Sequence, residues 1–75
     1  MASQQEFRKV NEIINIVKQA DGQNANVFDV LDRCHISLWW WKDHKKWILH
    51  RFPQLSLQKI EGMDFIFYNE VKNNE

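Results

Sequence analysis

A chain of 75 residues is long enough for one compact domain and too short for a second hydrophobic core. Its 44% hydrophobic and 27% charged residues fit a folded domain and exclude the composition typical of intrinsic disorder. Ten basic and ten acidic side chains cancel, so any attraction to nucleic acid or to an anionic membrane must be local. We expect residues 1–75 to form a single domain that is a fragment of a longer protein.

The chain has a single cysteine, Cys34, which excludes an internal disulfide and is typical of a reducing compartment. Its first residues lack the apolar segment of a signal peptide, and no apolar run approaches the roughly 18 residues of a membrane span. These features predict a soluble protein of the cytoplasm or nucleus with no membrane partner.

The first predicted helix runs from Ser3 to about Asp21. Ser3 and Glu6 have capping-box spacing, in which each side chain bonds the other residue's backbone amide. Apolar residues repeat at helical spacing on one face, namely Phe7, Val10, Ile13, Ile14 and Val17. Gly22 ends the helix, because glycine tolerates a left-handed exit. The polar segment 23–26 is predicted to be a short connector.

A second, short helix is predicted from Asn26 to about His35. Asn26 is a good N-cap residue, and Asp29 places a negative charge in the first turn, where it suits the helix dipole. The residues expected to face the core are Phe28, Leu31 and Cys34, with Val27 and Val30 beside them. An inward position predicts a buried, unreactive thiol for Cys34.

A third helix must end before Pro53, because proline pushes the preceding residue out of the α region. Two starts fit the sequence. If Ser37 is the N-cap, the helix includes "LWWW"; if Asp43 is the N-cap, "ISLWWW" is an extended segment before it. We favour the longer helix.

Two segments rich in β-branched and aromatic residues follow, Leu55 to Ile60 and Asp64 to Val71, and Gly62 supplies the turn between them. They predict a β-hairpin. Three short helices followed by a C-terminal hairpin predict a small α+β fold, a winged helix, in which the hairpin is the wing.

All four tryptophans lie on the longer third helix. At about 100° per residue, its expected core side carries Leu38, Trp41, Ile48, Leu49 and Phe52. The opposite side carries Trp40, His44, Trp47 and Arg51, with Trp39, Lys46 and His50 next to them. Because one small domain cannot surround a helix completely, at least one of Trp39, Trp40 and Trp47 is expected to stay partly exposed.

The same helix is locally basic. Between Lys42 and Arg51, four basic residues stand against one acidic residue, whereas acidic residues dominate after residue 60. Exposed indoles beside cations form a stacking platform for unpaired bases, worth on the order of 1–3 kcal/mol per base. The residues predicted to contact nucleic acid or a partner are Trp39, Trp40, Lys42, His44, Lys46, Trp47, Arg51 and Lys59.

RNA is favoured over duplex DNA as the ligand. Readers of duplex DNA usually carry Asn, Gln or Arg at the start of the recognition helix, where this chain has "LWWW". Two other interpretations remain open. In the first, the tryptophans fill the core, with the hairpin folded over Trp40 or Trp47, and the lysines form an ordinary solvated face. In the second, the aromatic face binds a protein partner or a second copy of this chain.

The sequence predicts neither an enzyme nor a bound metal or cofactor. The spacing of Cys34, His35, His44 and His50 matches no zinc-ligand pattern. Two glycines are too few for a glycine-rich phosphate loop, and the scattered carboxylates are better explained as caps, turns and surface.

The segment "HKKWILHRFPQLSLQKIEGMDFIFYNE", residues 44–70, resembles the end of LOTUS domains and of the N-terminal domain of Egalitarian-type proteins. There, a third helix leads through an aromatic-proline pair into a strand, a glycine turn and a final strand. The corresponding residues here are Trp47, Ile48, Phe52, Pro53, Leu55, Gly62 and Phe65. The tryptophan triplet departs from the family's pattern.

The resemblance implies a non-catalytic module of RNA-regulating proteins, which binds RNA or docks onto a DEAD-box RNA helicase or another ribonucleoprotein component. Members that dock onto the helicase have a further C-terminal helix. The segment "NEVKNNE" is too short and polar for such a helix, which favours RNA or another partner.

Overall fold

A computed structural model of the chain describes residues 4–70. The helices are α1 (Gln4–Gln19), α2 (Val27–Cys34) and α3 (Leu38–Arg51), and the strands are β1 (Asn24–Asn26), β2 (Leu55–Ile60) and β3 (Met63–Tyr68). A 3₁₀ turn, Asp21–Gln23, links α1 to β1. The strands form one antiparallel sheet in the order β1-β3-β2. This confirms the α+β class and the layout of a winged helix.

The Ser3 cap predicted for α1 lies outside the described residues. The last strand ends at Tyr68, so its predicted continuation through Asn69 and Glu70 was wrong, and its predicted end at Val71 lies outside the described residues. Within residues 4–70, no helix combines the length and the apolar character needed to cross a bilayer.

The segment predicted to be a polar connector is in fact the strand β1, so that prediction was wrong. Its central residue, Ala25, pairs with Ile66 of β3 and packs against the core. The side chains of Asn24 and Asn26 point to the opposite face of the sheet from Ala25, because successive side chains of a strand point in opposite directions. Three residues with one small apolar side chain are too short for the alternation that identifies a strand in sequence.

The hairpin of β2 and β3 confirms the prediction and has a two-residue turn. Glu61 and Gly62 both have positive φ, 52° and 80°, and Ile60 pairs directly with Met63. Two positive φ values define the type I′ turn, whose twist matches that of the strands. Glycine carries no penalty in this conformation, whereas Glu61 does. The hairpin places Leu55 and Ile66 inside the core.

The core lies between the helices and one face of the sheet. Its fully or nearly fully buried residues come from every helix, from the connection between α2 and α3, and from β2 and β3; they are Val10, Ile13, Val17, Val27, Val30, Leu31, Cys34, Ile36, Trp41, Ile48, Leu55 and Ile66. The inward face predicted for α1 is confirmed at Val10, Ile13 and Val17, whereas Ile14 is partly buried at its margin and Phe7 is half-buried outside the core cluster.

Two residues expected in the core are on the surface instead. Phe28 is 59% exposed and Leu38 is 38% exposed. The buried stripe of α2 consists of Val27, Val30 and their neighbours one turn on, and Phe28 lies about 100° away from Val27 around the helix. Leu38 is the first residue of α3, so less of its surroundings is covered by the rest of the domain.

The helix α3 begins at Leu38, so the longer of the two predicted helices is the one that forms. The Ser37 hydroxyl accepts a hydrogen bond of 3.1 Å from the backbone N–H of Trp40, which makes Ser37 the N-cap. The predicted cap of α2 is also confirmed, since the Asn26 side chain accepts from the Phe28 N–H at 2.8 Å. His35 ends α2 in the left-handed conformation, and its backbone turns the chain into α3.

Replacing Ser37 with Ala is expected to lower the free energy of unfolding by about 0.5–2 kcal/mol, because the first turn of α3 loses its cap. Ser37→Asp keeps an acceptor and should stay close to the wild type. Asp43→Ala is the matched control. Urea denaturation would measure all three, and a larger loss in Asp43→Ala than in Ser37→Ala would contradict a helix that begins at Leu38.

Candidate binding face on the third helix

The four tryptophans occupy three different environments. Trp41 is 2% exposed and belongs to the core, Trp40 and Trp47 are half-buried, and Trp39 is 80% exposed. Consecutive residues of a helix point about 100° apart, so three adjacent tryptophans must face in different directions. The burial of Trp41 and Ile48 sets the rotation of α3 and thereby turns Trp39 outward.

Trp40 and Trp47 lie in an aromatic cluster, which we define as Phe7, Trp40, His44, Trp47 and Phe52. The ring centroids of Phe7 and Trp47 are 5.7 Å apart, and those of Trp47 and Phe52 are 5.9 Å apart, both edge-to-face. The ring of His44 stacks on Trp40 at 4.2 Å, and the Lys9 ammonium lies 5.1 Å from the centre of the Trp40 ring.

Helix α1, through Phe7 and Lys9, therefore covers the side of α3 that carries the aromatic cluster. The sequence left open that the hairpin covers Trp40 or Trp47, but the contacts described here come from α1. One face of Trp40 is already occupied by His44, so little of this ring is available for a ligand. The aromatic cluster holds α1 and α3 together.

His44 joins the same two helices through its two ring nitrogens. Nδ1 lies 2.8 Å from the Trp40 carbonyl oxygen, and Nε2 lies 2.7 Å from a carboxylate oxygen of Glu6. A carbonyl and an ionised carboxylate can only accept, so both contacts are satisfied when both nitrogens carry a proton, and they favour the imidazolium form. The stacking on Trp40 then brings a cation against an indole face.

The environment of His44 raises its pKa above the usual value. Burial acts to lower the pKa, but the hydrogen bonds to Trp40 and Glu6 and the charges of Glu6 and Asp43 outweigh it. Each of these groups favours the protonated ring. His44, predicted to be a binding residue, is therefore placed as a charged link between α1 and α3.

The solvent-facing side of α3 carries Trp39, Lys42 and Lys46, which we define as the outer face. These residues follow one another at intervals of three and four, so they lie along one stripe, and all three are exposed. The Lys42 ammonium lies 5.7 Å from the centre of the Trp39 ring. The outer face thus joins an accessible indole to two cations.

A cavity of about 140 Å³ opens beside the outer face, between α2, α3 and the hairpin. Its lining residues are Val27, Phe28, Leu38, Trp41, Lys42, Lys45 and Asp64. Lys42 belongs to both the cavity and the outer face, and Leu38 is the chain neighbour of Trp39. Of these lining residues, only Lys42 was predicted to belong to a site. Only tertiary packing brings them together.

The remaining predicted site residues lie farther from this region. Arg51 is exposed at the last turn of α3, with its guanidinium carbon 5.6 Å from the ring centre of Phe52. Lys59 is exposed on β2, directly across the sheet from Asp64. The hairpin therefore brings Lys59 to the neighbourhood of the cavity, whereas Arg51 lies at the opposite end of α3.

Cys34 is buried, and burial together with the nearby charge of Glu12 raises its thiol pKa to about 11. The thiol is therefore protonated at neutral pH and is a weak nucleophile. Among residues 4–70, no group of three or more His, Cys, Asp or Glu side chains is arranged to hold a metal ion.

Comparison with protein-family models, with curated proteins and with solved structures gives no significant match. The resemblance of residues 44–70 to LOTUS domains stays a prediction from the sequence pattern.

Iodide or acrylamide should quench the fluorescence of Trp39 more readily than that of the other three tryptophans, because only its ring is largely exposed. In Trp39→Phe the accessible fraction in a Stern–Volmer plot is expected to fall, whereas Trp41→Phe should leave that fraction intact. Equal losses in the two variants would contradict the rotation of α3.

Stability is expected to depend on pH through His44. Its folded-state pKa is raised above the ordinary 6.5, so its contribution to stability is fully present below pH 6.5 and is lost as the pH rises through the raised pKa. Urea denaturation between about pH 6 and pH 8.5 should show stability falling with pH. The fall should be smaller in Glu6→Gln and unchanged in His50→Gln, and an identical profile in Glu6→Gln would contradict the link between His44 and Glu6.

Proposed function

We propose that this domain is a non-catalytic nucleic-acid-binding module that uses the outer face of α3, with RNA favoured over duplex DNA. One observation carries the proposal. Trp39 is 80% exposed, and the cations of Lys42 and Lys46 lie on the same stripe of the helix. In a winged helix this is the helix that enters the groove of DNA.

The chemistry of the outer face suits an unpaired strand. A base that stacks on an exposed indole gains on the order of 1–3 kcal/mol, and every base can do so through its π-face. The neighbouring lysines meet the phosphates on either side of that base. Because the protein has no net charge, this local excess of positive charge supplies the attraction.

Duplex DNA is the less suitable ligand. The first turn of α3 presents Leu38 and Trp39, and neither side chain makes the bidentate hydrogen bonds by which Asn, Gln or Arg read base edges. A bulky indole fits better against a base that is already unstacked, as in the loops and ends of RNA.

The other predicted residues take different parts in this proposal. Trp40, His44 and Trp47 act indirectly, since their contacts with α1 hold α3 in place. Lys59 extends the basic surface onto the hairpin. Arg51 lies nine residues beyond Lys42 on α3, about 13 Å along the axis, and would meet a more distant phosphate. A module of this kind would act in the cytoplasm or nucleus, where its RNA is found.

A second candidate function is binding of a protein, either a ribonucleoprotein component such as an RNA helicase or a second copy of this chain. The observation that favours it is the exposure of Phe28 and Leu38 at the rim of the cavity, beside Trp39. Exposed aromatic and apolar side chains next to one another are typical anchors of protein interfaces.

Binding of a fluorescein-labelled single-stranded RNA should weaken on the order of tenfold between about 50 mM and about 200 mM salt, because phosphate contacts release counterions. Trp39→Ala is expected to cost on the order of tenfold in affinity at either salt concentration. Lys42→Gln combined with Lys46→Gln should lower the affinity and reduce the dependence on salt. Fluorescence anisotropy measures each of these, with the duplex DNA of the same sequence as the weaker ligand.

Lys18→Gln is the control for loss of a positive charge away from the outer face, since it removes one charge from α1, where Lys18 lies over the ring of Tyr68. It should bind like the wild type. Unaltered affinity in Trp39→Ala, or no binding to any RNA, would overturn the proposal. Self-association that resists salt and is lost in Trp39→Ala would support the protein-binding function instead.

A further inference from the structure

We infer that the cavity beside the outer face holds the edge of an unpaired base and selects bases with an exocyclic amino group over uracil. This inference rests on the proposed binding of RNA and assigns it a specificity. The residues that carry it are Phe28, Lys42, Lys45 and Asp64, which line the cavity together with buried parts of α2 and α3.

The position of the cavity fits a nucleotide next to the one that stacks on Trp39. Lys42 borders the cavity and also lies over the Trp39 ring, and Leu38, which lines the cavity, precedes Trp39 in the chain. A strand that places one base on Trp39 therefore has its next nucleotide at the mouth of the cavity. The same lysine is within reach of the phosphate between them.

The walls of the cavity are suited to a planar ring. Val27 and Trp41 are buried and form its inner part, whereas Phe28 and Leu38 are exposed at the rim. At about 140 Å³ the cavity is far larger than the roughly 10–15 Å³ that one water needs. Phe28 and Trp39 are the only exposed aromatic residues in the described part of the chain, and both stand at this place. Unstacked bases are commonly held on aromatic side chains of this kind.

The polar group that selects the base is the carboxylate of Asp64. It is half-buried, and within residues 4–70 it makes no hydrogen bond and no ion pair, although two lysines line the same cavity. An ionised carboxylate can only accept hydrogen bonds, so a ligand that displaces water from it must offer a donor in return. Cytosine, adenine and guanine offer an exocyclic amino group with two donors, whereas uracil has on that edge only the ring N3–H, which lies between two carbonyl oxygens that a carboxylate repels.

The charges of the cavity also favour a nucleotide over a peptide. A nucleotide brings both an anion, for Lys42 and Lys45, and a hydrogen-bond donor, for Asp64. An acidic peptide satisfies the lysines but places a second anion near Asp64. A basic peptide satisfies Asp64 but places a further cation near the two lysines. A base with an amino group and its flanking phosphates match all three charged groups at once.

The test compares oligocytidine with oligouridine of equal length, labelled identically, because the two pyrimidines have the same size and differ mainly in the exocyclic group. Wild-type protein is expected to bind oligocytidine on the order of tenfold more tightly in fluorescence anisotropy. In Asp64→Asn the ratio should fall to about twofold or less, since an amide both donates to a uracil oxygen and accepts from a cytosine amino group.

Glu61→Gln is the matched control, because Glu61 is an exposed carboxylate of the same hairpin and does not line the cavity. It removes the same charge and should leave the ratio as in the wild type. Far-UV circular dichroism confirms that both variants fold.

Each outcome of the test separates the inference from the function on which it rests. Binding of both oligonucleotides with equal affinity, or a ratio that survives Asp64→Asn, would overturn the selection by Asp64 while leaving the RNA-binding function in place. Tighter binding of both to Asp64→Asn at an unchanged ratio would show that Asp64 only repels phosphate. Failure to bind either oligonucleotide would overturn the RNA-binding function and the inference together.

Discussion

The packing of α1 against one side of α3 determines which aromatic rings of this domain can meet a ligand. Phe7 of α1 contacts Trp47 and Phe52 edge-to-face, and Glu6 holds His44 by a hydrogen bond of 2.7 Å. An aromatic pair of this geometry contributes about 0.5–1.5 kcal/mol beyond the area that it buries. These contacts leave α3 one free side, the outer face.

His44 links this packing to the charge pattern of α3. When protonated, it donates to one acceptor on each helix, and Glu6 balances its charge. The lysines of the outer face form no ion pair among the described residues, and the Lys42 ammonium lies over the Trp39 ring. The positive charge of α3 is therefore divided into an internal part that stabilises the fold and an external part that can attract a ligand.

The same division explains why a neutral protein can still present a basic site. The hairpin brings Asp64 next to Lys42 and Lys45, so the cavity contains both signs of charge within a largely apolar wall. A site with both signs is selective, because a ligand must offer an acceptor and a donor at the right places. The outer face alone, with an indole and two cations, would accept any unpaired strand.

The sequence by itself determined the helices, the hairpin and the fold class, because these follow from local signals. The Asn26 cap, the apolar stripe of α1 and the glycine turn at residue 62 are each readable within a few residues, whereas the start of α3 at Ser37 or Asp43 stayed open. It did not show β1, whose three residues become a strand only by pairing with β3. It also placed Phe28 and Leu38 in the core, although both are exposed.

Which tryptophans are covered was decided only by the tertiary structure. The spacing of residues in a helix specifies that Trp39, Trp40 and Trp41 point in different directions, but not which element lies against each of them. That depends on contacts across long sequence separations, such as Phe7 with Trp47 and Glu6 with His44. These contacts arise from the packing of whole elements, and no local pattern in the chain encodes them.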